Sequence, residues 1–322
     1  MEYRRLGNSG MKVSAVSIGG WINFGEGKVA EDTAREVIET AYENGINFFD
    51  IADVYGKGGS ETQMGAILAQ YPRHTMVVST KVFGQMSDDV NDRGLSRKHI
   101  MESIDKSLKR LQMDYVDIYF CHRPDPTTPI RETARAMNDL IEQGKVHYWG
   151  MSEWEAHQIV EAYEICDKYG WHLPQTEQPQ YSMLWRHRVE RFILPATEPR
   201  GIGLVPWSPL AMGMLTGKYD DGIPEDSRFA KEEWTVSRYL TDAAKDAVKA
   251  LKPIADDLGI SRAQLALAWC LRQPGVSSVI TGATKPQQVL DNVKAAEVTL
   301  SADVIEQIEE ILKPVDTDPF KA

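Results

Sequence analysis

The sequence lacks every feature that would tie it to a membrane, to nucleic acid or to a disulfide framework. No apolar run approaches the ~20 residues needed to span a bilayer, and the opening Met1-Glu2-Tyr3-Arg4-Arg5-Leu6 has no signal-peptide core. Membrane insertion is therefore not expected. Cysteine is scarce: Cys121, Cys166 and Cys270 are odd in number, far apart and free of CxxC spacing. That argues against disulfides and structural zinc and predicts a reducing, cytoplasmic setting. Positive charge is in deficit, with 36 Lys and Arg against 47 Asp and Glu for a net charge of −11. Such a balance excludes the broad basic face that a phosphate backbone requires, so no nucleic-acid partner is expected. No Pro/Ser-rich linker interrupts the chain, which predicts one domain over residues 1–322. No His-x-His falls at a strand end, and no metal is predicted.

What the chain does contain is a repeating alternation. Its 322 residues, 42% of them hydrophobic, suffice for a large core. Residues 3–13 hold Asn8-Ser9-Gly10 between two short extended pieces and read as a hairpin. β-branched strands then follow at 15–19, 47–50, 76–81, 115–121, 146–152, 176–178, 203–207 and 277–280. Amphipathic helices separate them: one starts at Glu31, and another spans residues 61–70. A third is capped by Ser96, with Ile100, Ile104, Leu108 and Leu111 at helical spacing. Further helices are read around Ala134–Ile141, Ile159–Cys166 and 189–196, and over 243–258, 262–271, 287–295 and 304–312. A polar loop is read over 210–240.

Parallel strands joined by crossovers, eight times over, predict a closed (β/α)8 TIM barrel with an N-terminal β-hairpin and extra C-terminal helices. The alternative, an open doubly wound sheet, would carry GxGxxG after its first strand. The segment Gly19-Gly20-Trp21-Ile22-Asn23-Phe24-Gly25 lacks that spacing.

Barrel chemistry sits at the C-terminal ends of strands. The predicted ends carry Asp50 with Tyr55 beyond it, then Lys81, then His122. Singly, these residues read as a turn cap, a loop aromatic, a solvated strand end and a loop histidine. Together they suit reduction of a carbonyl, which needs a proton at oxygen as well as a hydride at carbon. A tyrosine hydroxyl can give the proton. A lysine ammonium would lower its pKa, an aspartate would hold the lysine, and a histidine could position the carbonyl oxygen. A histidine also titrates near neutral pH, which predicts a pH profile shaped by His122. Asp53, near Asp50, suggests a paired-carboxylate glycosidase, but two acids on one short loop would not flank a sugar from opposite faces.

The segments Gly45-Ile46-Asn47-Phe48-Phe49-Asp50-Ile51-Ala52-Asp53-Val54-Tyr55-Gly56, Ser79-Thr80-Lys81 and Tyr115-Val116-Asp117-Ile118-Tyr119-Phe120-Cys121-His122 resemble the aldo-keto reductase superfamily. Arg93-Gly94-Leu95-Ser96-Arg97-Lys98-His99-Ile100, Arg123-Pro124-Asp125-Pro126 and Trp207-Ser208-Pro209-Leu210-Ala211 resemble its voltage-gated potassium channel β-subunit branch and microbial relatives. The resemblance implies a catalytic tetrad of Asp50, Tyr55, Lys81 and His122, with an aldehyde or ketone as substrate. It also implies cofactor contacts from Gly20, Trp21 and Asp50, and nicotinamide contacts from Ser152, Gln178 and Trp207. A pyrophosphate belt would come from Ser208, Pro209, Leu210, Ala211, Met212, Lys218 and Arg228. Gly282, Thr284, Lys285, Gln288, Asp291 and Asn292 would form the adenosine end. A lysine beside a helix N-terminus suits a 2′-phosphate, so NADP(H) is the expected cofactor. Channel β subunits carry asparagine where this chain has His122, which favours a working reductase over a redox-sensing channel subunit. The channel relatives also imply a possible tetramer.

Overall fold

The computed structural model describes residues 1–21, 24–25, 30–231, 236 and 239–315. Strands β1 (Tyr3–Arg5) and β2 (Lys12–Ser14) pair antiparallel, as the hairpin reading requires. Eight parallel strands follow: β3 (Val16–Gly19), β4 (Phe48–Asp50), β5 (Val77–Val82), β6 (Val116–Cys121), β7 (Val146–Ser152), β8 (Thr176–Gln178), β9 (Gly203–Leu204) and β10 (Val279–Thr281). Each pairs with the next in sequence, and β10 pairs with β3. The remaining edge closes through Leu204 N to Gly275 O, Ser277 N to Leu204 O and Ile280 N to Pro206 O, at 2.8, 2.8 and 2.9 Å. The sheet is thus the (β/α)8 barrel that the alternation predicts.

Helices α1 (Glu31–Glu43), α2 (Gly59–Leu68), α3 (Arg97–Leu111), α4 (Ile130–Glu142) and α5 (Ala156–Tyr169) pack outside the first five barrel strands. Ser96 caps α3 by accepting from His99 N. Three readings differ most from expectation. The strand read over 203–207 is regular only at Gly203–Leu204, because Pro206 has no N–H to donate, and Trp207 makes single bridges to Gln180 and Ile280. The helix read over 243–258 is two, Asp242–Ala250 and Lys252–Asp257, with Pro253 in the first turn of the second. The helix read near 189–196 opens as a π turn over Val189–Ile193 before Leu194–Thr197. Within the stretch read as a loop over 210–240, a 3-10 turn spans Ala211–Thr216 and a short helix Arg228–Lys231, while 232–235 and 237–238 lie outside the described residues.

Two apolar clusters share the strands by parity. Phe48, Val77, Ile118 and Phe120 meet inside the barrel with Leu6 and Val13, so the β1–β2 hairpin plugs its N-terminal mouth. Their neighbours Phe49, Val78, Tyr119 and Cys121 face the helices. Because side chains alternate along a strand, everything in step with Phe48, Val77 and Phe120 also points inward. Those residues are Asp50, Ser79, Lys81 and His122. One end of the barrel is apolar and plugged, so the polar inward layer forms at the other.

Candidate active site

The inward layer at the open rim forms one hydrogen-bonded unit. The Lys81 ammonium donates to Asp50 Oδ2 at 2.7 Å, to the Ile51 carbonyl at 2.6 Å and to the Tyr55 hydroxyl at 3.4 Å. Asp50 Oδ1 accepts from Ser79 Oγ at 2.7 Å and from Gln178 Nε2 at 3.0 Å. The His122 ring stands edge-on to the Tyr55 ring, with centroids 5.5 Å apart. Lys81 is fully buried and forms the floor, whereas Asp50, Tyr55 and His122 reach the wall of a cavity of about 1230 Å³. The four residues that the sequence places on three strand ends are therefore neighbours.

Their charge states follow from that burial. Desolvation pushes the Tyr55 hydroxyl well above the phenol range, and the Asp50 carboxylate adds to the effect while Arg123 opposes it. This reverses the lowering expected from a neighbouring lysine: Lys81 is neutralised by its contact with Asp50, and burial decides the direction. Burial also lowers the Lys81 ammonium, against the pull of Asp50. The His122 ring is held well below the usual histidine range by burial first and then by the Lys81 and Arg123 charges. That direction favours the neutral imidazole and runs against the neutral-pH profile that the sequence suggests.

The cavity runs from this floor past Trp207 to the far rim. Trp21, Ser152, Gln178, Trp207, Ser208, Pro209, Leu210, Met212, Lys218, Arg228, Gly282, Thr284, Gln288, Asp291 and Asn292 all line it. Gly20, Ala211 and Lys285 do not. Gly20 lies behind the wall, where its carbonyl accepts from Ser60 Oγ, and a side chain there would meet that oxygen at 2.5 Å. Ala211 is buried under the belt, and Lys285 is exposed at the N-cap position of the helix Pro286–Val293.

The belt after β9 is strained. Ser208, Ala211 and Met212 have φ of 56°, 47° and 57°, half of the six non-glycine residues of positive φ among those described. Ser208 and Met212 line the cavity, and positive φ of this kind tends to cluster at ligand clamps. At Gly213 a Cβ would sit 2.8 Å from Lys218 Nζ, so the missing side chain lets that ammonium lie against the belt. Burial lowers Lys218, and the nearby Arg228 charge lowers it further.

Three contributors escaped the sequence. Ser79 is one strand repeat before Lys81, and its parity could have revealed it. Glu153 accepts from Trp207 Nε1 at 2.9 Å and from Gln180 N at 2.5 Å, with φ of 60°. Arg123, quoted only as part of a motif, lines the cavity beside His122.

The model of the aldo/keto reductase family matches residues 15–313. The chain is 48% identical over 320 residues to an Arabidopsis thaliana protein named "Probable voltage-gated potassium channel subunit beta", with 97% of each chain covered. An Oryza sativa protein of the same name is 48% identical over 332 aligned positions, with 100% of both chains covered.

Proposed function

The chain belongs to the aldo/keto reductase family, and from that premise we propose that it reduces aldehydes or ketones to alcohols with NADPH, as one domain over residues 1–322. The observation that carries the proposal is the meeting of Tyr55, Lys81, Asp50 and His122 at the floor of one cavity.

The residues present fit a dinucleotide. The cavity exceeds the roughly 300–1,000 Å³ of a drug-sized pocket, at about 1230 Å³. Two cations, Lys218 and Arg228, line its wall together with Asp226 and give that stretch a net positive charge suited to an anion. Ser152, Gln178 and Trp207 would hold the nicotinamide end. Ser208 to Met212, with Lys218 and Arg228, would hold the pyrophosphate, and Gly282 to Asn292 the adenosine end. When bound, the cofactor supplies the hydride that the carbonyl carbon gains.

The chain's own residues supply the rest. Burial keeps Tyr55 protonated until a carbonyl oxygen accepts its proton. The Lys81 ammonium then faces the charge that develops on the phenolic oxygen, while Asp50, fixed by Ser79 and Gln178, holds the ammonium in place. Neutral His122 donates an N–H to the same carbonyl oxygen. The oxygen receives one proton from Tyr55, and the alcohol leaves with no change in the protein beyond reprotonation of Tyr55 from solvent.

The names of the relatives favour a second reading, a potassium channel β subunit, and for that reading we propose redox sensing, slow turnover and a tetramer. Three buried free cysteines suit a cytoplasmic setting under either reading. Steady-state reduction of a panel of simple aldehydes and ketones by NADPH decides between them: rapid turnover supports the reductase, and its absence the regulatory subunit. For the cofactor, Lys285→Ala should weaken NADPH by a charge-assisted bond of roughly 1.5–3 kcal/mol and leave NADH nearly untouched. Equal weakening of both would remove Lys285 from the 2′-phosphate.

A further inference from the structure

Four cations line the cavity among the described residues: Arg123, Lys218, Arg228 and Lys231. Lys218 and Arg228 act on one another, and Lys231 shares the short helix Arg228–Lys231. Arg123 stands apart from them. Its charge acts on Tyr55, Lys81 and His122, three of the four tetrad residues.

Arg123 is half-buried on the cavity wall, and its hydrogen bonds leave one edge of it without a partner among the described residues. Nη1 donates to the His122 carbonyl at 2.6 Å and to Ser152 Oγ at 3.3 Å. Both partners are neutral, and among the described residues neither Nε nor Nη2 has a protein acceptor and no carboxylate pairs with the guanidinium. A guanidinium presents its donors as a planar fork, and the Nε–Nη2 edge matches the two oxygens of a carboxylate. Trp21, Phe24 and Val54 line the same cavity and give an apolar wall for a short carbon chain. With Asp50 and Lys81 cancelling, the floor carries the charge of Arg123.

Building on the reductase reading, we propose that Arg123 determines substrate choice and that the preferred carbonyl compound bears a carboxylate a short carbon chain away from the carbonyl. The guanidinium holds the carboxylate through Nε and Nη2, and the carbonyl is left facing Tyr55 and His122. Nη1 meanwhile anchors the β6 and β7 rims, so the charge is fixed in place before substrate arrives.

The test compares 4-oxobutanoate with butanal, which puts a methyl where the carboxylate was, and glyceraldehyde 3-phosphate with glyceraldehyde as a phosphate arm. The wild type should favour 4-oxobutanoate over butanal by tenfold or more in kcat/KM, a factor worth about 1.4 kcal/mol. Salt should erode the preference, and it should reside in KM. Arg123→Gln should abolish it, and Arg123→Lys, which keeps the charge without the fork, should retain part of it. Equal use of both aldehydes by the wild type, or a parallel fall for both in Arg123→Gln, overturns the proposal and leaves Arg123 as a brace for His122 and Ser152. A preference confined to the phosphate pair overturns the carboxylate assignment. If no carbonyl is reduced at all, the reductase reading fails on its own. Calorimetric titration of the NADPH-saturated protein with succinate and with succinamide then tests Arg123 separately. Succinate-selective binding lost in Arg123→Gln supports the site, and no succinate binding to wild type overturns it.

Discussion

The indole N–H of Trp207 donates to the Glu153 carboxylate at 2.9 Å. Glu153 also accepts from the Gln180 backbone and pairs with Arg188 at 3.3 Å, so one side chain ties the end of β7 to the residues beyond β8 and β9. The aromatic wall of the cavity is thus oriented by an acid outside the cavity lining. Glu153→Ala leaves the indole and the Gln180 N–H without their acceptor, at about 1–3 kcal/mol for a buried group. NADPH affinity, followed by tryptophan quenching, should fall by roughly thirtyfold at the middle of that range.

Tyr55→Phe keeps the ring against His122 and removes only the hydroxyl. Reduction should slow by about 10²–10⁴-fold, the usual contribution of a positioned proton donor, while NADPH titration stays near the wild-type curve. Single-turnover reduction of one good aldehyde measures both. An unchanged rate would take Tyr55 out of the proton transfer.

His122→Asn separates hydrogen bonding from titration. Because the buried ring is held well below its ordinary pKa, it stays neutral over the usual assay range. The variant should be slower at every pH and leave the profile shape unchanged. A change of shape near pH 6.5, the ordinary histidine value, would show that the ring does take a proton there. The same depression has a consequence for stability. As pH falls through that ordinary value the unfolded chain takes a proton that the folded ring refuses, so wild-type stability declines on the acid side and His122→Asn should decline less.

Asp53 gives the opposite dependence. Burial, and then the Glu61 charge, push its carboxyl from 3.8 to about 7, while its bond from Ser103 at 3.1 Å and the Arg110 charge resist. The folded chain therefore keeps a proton that the unfolded chain releases, and stability falls as pH rises from about 4 to about 7 before levelling. Asp53→Asn removes this dependence. Its advantage in unfolding free energy, measured by urea titration, should be absent near pH 4 and reach at most about 4 kcal/mol above pH 7. A constant difference at all pH values would mean that Asp53 is charged throughout.

These cases show what a linear sequence exposes. Short β-branched runs marked the strands, and the strand ends then marked Asp50, Lys81 and His122, because both are local properties of the sequence. Ser79 and Pro253 were equally local and were missed, the first by parity and the second by its helix-breaking ring. The direction of the Tyr55 shift was not local. It depends on how completely the barrel excludes water from the hydroxyl, against a lysine already neutralised by Asp50. The free edge of Arg123 is likewise set by which of its nitrogens find partners after folding, and no spacing records that.

The seam between β3 and β10 joins residues from opposite ends of the chain, with Ser278 Oγ donating to Ser17 Oγ at 3.0 Å across 261 positions. Few contacts close a longer loop, so this pairing carries one of the larger loop-closure costs in the fold, although that cost grows only logarithmically with length. The cavity straddles it, drawing Gly19 and Trp21 from one side and Thr281 and Gly282 from the other. Anything that fills the cavity binds the sealed form and has no counterpart in the open one. A ligand at 100 times its dissociation constant would then oppose opening of the seam by about 2.7 kcal/mol, and amide exchange along β3 and β10 would slow in proportion to the fraction bound. Occupancy and closure of the ring are in this way a single equilibrium, read from either end of the chain.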